Sequence, residues 1–126
     1  MNRPSRGHIL VVDDDIVVLE VTRERLEGAG FSVVTRSSAL GTSAFIRKEK
    51  PDYILLDVNM PSLSGDALAR LLSEGHPRSR VILHSSQERT SLSALAEKCG
   101  AIGVIAKTDD DDEFLAQLTS CIRWRP

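Results

Sequence analysis

Short, unbroken apolar runs alternate along this chain with longer segments whose apolar residues recur every three or four positions. His8-Ile-Leu-Val-Val12, Tyr53-Ile-Leu-Leu56, Val81-Ile-Leu83 and Gly103-Val-Ile-Ala106 are the apolar runs, and Phe31–Thr35 is a β-branched run that reads as a further strand. They suit strands buried on both faces, as in a parallel sheet. Between them the period changes. Asp15 stands at a helix N-cap position, and Ile16, Leu19, Arg23 and Leu26 follow at helical spacing until Gly28 and Gly30 close the segment. Ser37 or Ser38 is expected to cap a second helix through Leu40, Ala44, Phe45 and Ile46, ended by Pro51. Further helices are expected over Asp66–Ser73, stopped by Gly75 and Pro77, and over Gln87–Cys99, stopped by Gly100. The last opens at Asp109-Asp-Asp-Asp112, where negative charge suits the helix dipole, and carries Phe114, Leu115, Leu118 and Ile122 as its stripe.

The order is strand then helix, five times. That alternation implies an α/β fold with one parallel sheet, helices on both faces and right-handed crossovers. Four of the strands end in polar residues: Asp13-Asp14-Asp15, Asp57, His84-Ser85-Ser86 and Lys107. In parallel strands these all emerge at one carboxyl edge, where open α/β sheets bind their ligands. The pattern points to metal and phosphoryl chemistry on a carboxylate.

Composition narrows the picture without changing it. At 126 residues the chain is read as one domain over 1–126, with its core at about 7–123. Hydrophobic content of 41% and charged content of 27% suit a soluble globular protein. The net charge of −2 argues against a general nucleic-acid surface. No apolar run approaches the ~20 residues of a membrane span. Met1–Arg6 has no long apolar stretch behind it, so no secretory signal is expected and a cytoplasmic location is. Cys99 and Cys121 lack metal-ligand spacing and read as reduced thiols in or near the core.

Asp13, Asp14 and Asp57 are expected at the ends of neighbouring strands. Two carboxylates about 5 Å apart repel by roughly 3 kcal/mol at an effective dielectric of about 20. Three together recruit a divalent cation or take up a proton, and an open crevice with few oxygen ligands suits Mg²⁺. Asp15 alone is explained as an N-cap, but two further caps in series are not needed. Asp57 ends a buried strand, where a carboxylate is costly unless paired or metal-bound. It can act as a nucleophile toward phosphorus. Lys107 would supply a positive charge to phosphate oxygens, and Ser85 a hydroxyl.

Taken in order and at their spacing, Ile9-Leu-Val-Val-Asp-Asp-Asp15, Pro51-Asp-Tyr-Ile-Leu-Leu-Asp-Val-Asn-Met-Pro61 with Gly65, Val81-Ile-Leu-His-Ser85 and Gly103-Val-Ile-Ala-Lys107 resemble the CheY-like receiver domain of two-component response regulators. The resemblance covers residues 7–123. It implies a flavodoxin-like (βα)₅ fold with strand order 2-1-3-4-5. It makes Asp57 the acceptor of a phosphoryl group from a sensor histidine kinase or histidine phosphotransfer protein. Asp13, Asp14 and Asp57, with the Asn59 backbone carbonyl, would hold Mg²⁺. Ser85 and Lys107 would contact the phosphoryl oxygens, and Pro61 and Gly65 match the loop after the acceptor. The implied output is a switch in binding to a downstream effector, with no direct nucleic-acid or membrane binding and no enzymatic activity beyond the domain's own phosphorylation and dephosphorylation.

The chain departs from that pattern in several places. Thr108 stands where relatives carry a proline after the lysine, and a non-proline cis bond costs about 3–4 kcal/mol, so a trans bond is expected. Val104 replaces an aromatic that swings inward in relatives, so that gate is expected to be absent. His84 stands at an ordinarily apolar position and reads as a core histidine hydrogen-bonded to a neighbour, with pH sensing as the sharper alternative. Asn59, Ser86 and Gln87 suggest an intermediate phospho-lifetime. Ala101-Ile102 replaces the acidic pair of one dimerising subfamily, and Trp124 is expected to pack on the domain. The tail Ile122–Pro126 is too short to hold an output domain. Three other functions compete. An aspartyl phosphatase would want an acid where Asn59 stands. A flavin or nucleotide carrier would want glycines where Asp13–Asp15 stand. A phosphorylation-independent docking module would not need the complete set of polar residues.

Overall fold

The computed structural model describes residues 6–38, 41–59, 78–86 and 89–123. Five strands form one sheet: β1 (His8–Val12), β2 (Ser32–Arg36), β3 (Tyr53–Asp57), β4 (Arg80–Ser85) and β5 (Gly103–Ala106). All pair in parallel in the order β2-β1-β3-β4-β5, the order expected above. The described helices are α1 (Ile16–Gly28), α2 (Thr42–Glu49), α3 (Arg89–Cys99) and α4 (Asp111–Arg123). The helix expected over 66–73, the loop with Pro61 and Gly65, and Leu40, Gln87 and Trp124 lie outside the described residues.

Strand alternation sorts the apolar side chains into two cores. Leu10, Val12, Ile54, Leu56, Val81, Leu83 and Val104 face Ile46 of α2 and Ala96 and Cys99 of α3. Ile9, Val11, Leu55, Ile82 and Ile105 face Leu19 and Leu26 of α1 and Phe114, Leu118 and Cys121 of α4. β1, β3, β4 and β5 are therefore buried on both sides, which is why they read as continuous apolar runs rather than alternating ones, whereas the edge strand β2 is only partly buried. Gly103 is needed where β5 meets α4, because a Cβ there would lie 2.5 Å from Cys121 Sγ. Both cysteines are buried thiols in the core, as expected.

Two of the described helix starts follow side-chain chemistry, and a third does not. Asp15 Oδ1 accepts from the Val17 and Val18 amides and caps α1. Asp110 Oδ1 accepts from the Glu113 amide, and the Asp110 amide itself donates to Thr108 Oγ1, so the aspartate run starts α4 through one of its members. Neither Ser37 nor Ser38 caps α2. That helix begins after Gly41, which has φ of 77° and makes no side-chain cap bond, and Thr42 Oγ1 donates instead to the Ser38 carbonyl. The glycine turns the chain, so the serines stand too far back to reach the first free amides.

The strands also run further than their apolar runs. β3 includes Asp57 and β4 includes His84 and Ser85, because Asp57 pairs with His84 and Ser85 with Ala106 in the ladder. Backbone pairing continues while a neighbour offers its hydrogen bonds, whatever the side chain.

Candidate phosphoryl and cation site

The parallel register assembles the site. Val12 pairs with Leu56, so Asp13 and Asp57 follow at the same height on neighbouring strands, about 4.8 Å apart in the sheet. Ser85 pairs with Ala106, which places Lys107 one residue beyond, and the Lys107 amide donates to the Ser85 carbonyl at 2.8 Å. Asp13, Asp14 and Asp57 each offer an oxygen, and the three lie within 4.8 Å of one another. Asp13 and Asp57 are buried, at 0% and 2% exposure, and Asp14 is exposed.

Lys107 Nζ lies 3.0 Å from Asp13 Oδ2 and 3.6 Å from Asp57 Oδ1. Its tighter partner is thus Asp13, which sequence reading did not anticipate. Which carboxylate it meets depends on the relative height of three strands. The loop after β3 turns back on the acceptor: the Asn59 amide donates to Asp57 Oδ1 at 3.0 Å, and Asn59 Nδ2 donates to Ser85 Oγ at 2.8 Å. The Asp15 amide donates to Asp13 Oδ1 at 2.9 Å. All five sequence-expected side chains therefore converge on one edge of the sheet, and Asn59 follows Asp57 directly after Val58.

Burial pushes the Asp57 carboxyl above the usual carboxylate range. The Asn59 amide opposes this, Asp13 adds to it, Lys107 opposes it and Asp14 adds to it. Burial alone would lower Lys107, but its hydrogen bond to Asp13 and the charges of Asp13 and Asp57 outweigh that and leave it raised. Three carboxylates face one ammonium among the described residues. The excess negative charge and the all-oxygen donor set fit a hard divalent cation, with exposed Asp14 on the side where water could complete its shell.

Among the departures, the described peptide bonds include no cis bond, so Lys107–Thr108 is trans, as expected. Val104 is buried in the core with Leu83 and Ala96. His84 is buried at 3% exposure and packs edge-on to Phe114, with centroids 5.9 Å apart. Its expected hydrogen bond is not made, and both ring nitrogens lack a hydrogen-bond partner among the described residues. The face that β4 turns to α4 offers an aromatic ring there rather than a polar atom. Sequence reading also missed Gln117, whose Oε1 accepts from the Ala106 amide at 2.9 Å. Its signal was a lone amide three residues after Phe114, inside the apolar stripe of α4.

The response regulator receiver domain model matches residues 9–119. The chain is 31% identical over 118 residues to the DNA-binding transcriptional regulator NtrC of Salmonella typhimurium, an alignment covering 94% of this chain and 25% of that protein. It is 33% identical over 116 residues to the transcriptional regulatory protein KdpE of Mycobacterium tuberculosis, covering 91% of this chain and 50% of that protein. The chain thus spans a quarter to a half of the length of these relatives. A response regulator from Thermotoga maritima superposes with a TM-score of 0.81 at 26% identity, over 93% of this chain and 98% of that one. The chain belongs to the response regulator receiver domain family.

Proposed function

We propose that residues 1–126 form a single receiver domain that accepts a phosphoryl group on Asp57 and thereby switches its binding to an effector. The observation that carries this reading is the convergence of Asp13, Asp14, Asp57, Ser85 and Lys107 on one sheet edge, with the acceptor held by the Asn59 amide. Asp13, Asp14 and Asp57, with the Asn59 carbonyl, would hold Mg²⁺. The ion would supply charge neutralisation for the transferring group.

The donor is a phosphohistidine on a kinase or phosphotransfer protein. An Asp57 carboxylate oxygen attacks phosphorus, the P–N bond breaks, and the imidazole leaves with the electron pair and takes a proton from water. Attack requires ionised Asp57, which the charge of Lys107 favours and burial opposes. Lys107 then has a new anionic partner beside Asp57. Ser85 Oγ can keep accepting from Asn59 Nδ2 while its own proton turns toward a phosphoryl oxygen. Chemistry of this kind is a switch rather than turnover of a separate substrate.

NtrC and KdpE are transcriptional regulators, and the chain covers only part of each. Any DNA-binding output therefore belongs to a segment other than the receiver fold. Among the described residues no helix is long and apolar enough to cross a membrane. Beryllium fluoride with Mg²⁺ tests the site without a kinase. Amide resonances of Asn59, Ser85 and Lys107 are expected to shift in the wild type and to stay in place in Asp57→Asn. Unshifted wild-type resonances would remove the acceptor role and favour a docking module that works without phosphorylation.

A further inference from the structure

β5 lies at one edge of the sheet, so alternate backbone groups along it face no neighbouring strand. The Lys107 amide points inward to β4, where the Ser85 carbonyl accepts it at 2.8 Å. One residue earlier, the Ala106 amide points outward. An outward amide at a sheet edge ordinarily bonds to water. Here α4 supplies the partner, and Gln117 Oε1 accepts from the Ala106 amide at 2.9 Å. One turn further along the helix, Cys121 Sγ donates weakly to the Val104 carbonyl at 3.8 Å. Four residues of helix rise about 6 Å and two residues of strand about 6.6 Å, so the two side chains match the spacing of the strand edge. α4 thus stands in for a further strand beside Val104–Ala106.

Stability does not explain the amide of Gln117. Its Nε2 is buried and has no hydrogen-bond partner among the described residues. A buried donor left idle costs at least as much as one neutral hydrogen bond contributes. An apolar side chain of the same length would avoid that cost. What the bond fixes is direction. Consecutive amides are held from opposite sides, Ala106 from outside by Gln117 and Lys107 from inside by Ser85. Together they set the angle at which the Lys107 side chain leaves the strand. Beyond it, Thr108 is tied only by exposed hydrogen bonds to Glu113 and Asp110. Lys107 Nζ has to reach Asp13 at 3.0 Å and Asp57 at 3.6 Å. Contacts of this length weaken steeply with distance, so a small tilt of the strand end changes what the ammonium can serve.

We propose that Gln117 is a positioning residue for phosphoryl transfer: by holding the Ala106 amide it aims the Lys107 ammonium at the place where Asp57 takes its phosphoryl group. The role rests on the reading of Asp57 as the acceptor. Gln117 acts through Lys107 and not on the reacting atoms.

The test is the rate of phosphorylation by acetyl phosphate at saturating Mg²⁺, followed by intact mass, in variants each checked for a dispersed NMR spectrum. Gln117→Met keeps the length of the side chain without a strong acceptor. Gln117→Asn keeps the amide but falls one methylene short. Either is expected to slow the reaction about fivefold, the equivalent of one neutral hydrogen bond. Gln117→Glu retains both reach and acceptor and is expected to recover most of the wild-type rate. In a Lys107→Ala background, Gln117→Met is expected to cause no further slowing, because the ammonium it aims is gone. Equal rates in the wild type, Gln117→Met and Gln117→Asn overturn the role. So does an equal loss with and without Lys107, which marks a general effect on the fold. A folded wild type that takes no phosphoryl group overturns the reading of Asp57 and this role with it, whereas a phosphorylated wild type matched by its Gln117 variants overturns this role alone.

Discussion

Asp57 and His84 are neighbours in the ladder and are both buried, yet acid acts on them in opposite directions. The Asp57 pKa is raised in the folded state, mainly by burial. Its contribution to stability is present at low pH and is lost as pH rises from the unfolded value through the folded one. In metal-free buffer at pH 7, Asp57→Asn is therefore expected to stabilise the protein by on the order of 1 kcal/mol, measured by urea denaturation. A clear loss would mean that Lys107 fully offsets the burial cost. A divalent cation should do the same for the wild type: Mg²⁺ at a hundred times its Kd adds about 2.7 kcal/mol, and chelation removes it. His84 runs the other way. Unfolded histidine takes a proton below about 6.5, while the folded ring resists until about 3. Stability conferred by the neutral ring is full above pH 6.5 and declines as pH falls toward 3, by up to about 5 kcal/mol at about 1.4 kcal/mol per pH unit. His84→Leu should flatten that limb. An acid limb of unchanged steepness, followed by thermal unfolding between pH 7 and 4, would show that the ring is protonated in the folded state.

At the scale of elements, β1, β3, β4 and β5 were legible because burial on both faces leaves few polar positions to interrupt them, and β2 was legible from its β-branched residues. Their carboxyl ends were less so: Asp57, His84 and Ser85 continue the ladder although they break the apolar run. The cap of α1 was readable from Asp15, while the start of α2 was not, since Gly41 redirects the chain by its backbone angles alone. Asp15→Ala should cost about 1 kcal/mol, whereas Ser37→Ala and Ser38→Ala should leave stability within about 0.5 kcal/mol. The β5–α4 contact makes a sharper demand. A methyl at Gly103 meets Cys121 Sγ at 2.5 Å, so Gly103→Ala is expected to destabilise by about 1–3 kcal/mol. Adding Cys121→Ala should recover part of that loss. A double variant no more stable than Gly103→Ala alone would place the strain in the backbone instead.

For the whole molecule, order and handedness did most of the positioning. Five strands in the order 2-1-3-4-5 bring β1, β3, β4 and β5 side by side, so residues spread from Asp13 to Lys107 meet at one edge. That much could be read from the chain, because a parallel sheet sends every strand's end the same way. The pairing within the site could not. Lys107 meets Asp13 at 3.0 Å and Asp57 at 3.6 Å through register, and Asn59 reaches Ser85 through a loop conformation. The unpartnered His84 ring was hidden for the same reason, since only the packing of α4 shows that Phe114 faces it. The acceptor role of Asp57 is tested most directly by intact mass after incubation with acetyl phosphate, with and without Mg²⁺, beside Asp57→Asn. A gain of one phosphoryl group that needs Mg²⁺ and vanishes in the variant is expected. An adduct that forms equally in Asp57→Asn would place the acceptor elsewhere and contradict the site assembled here.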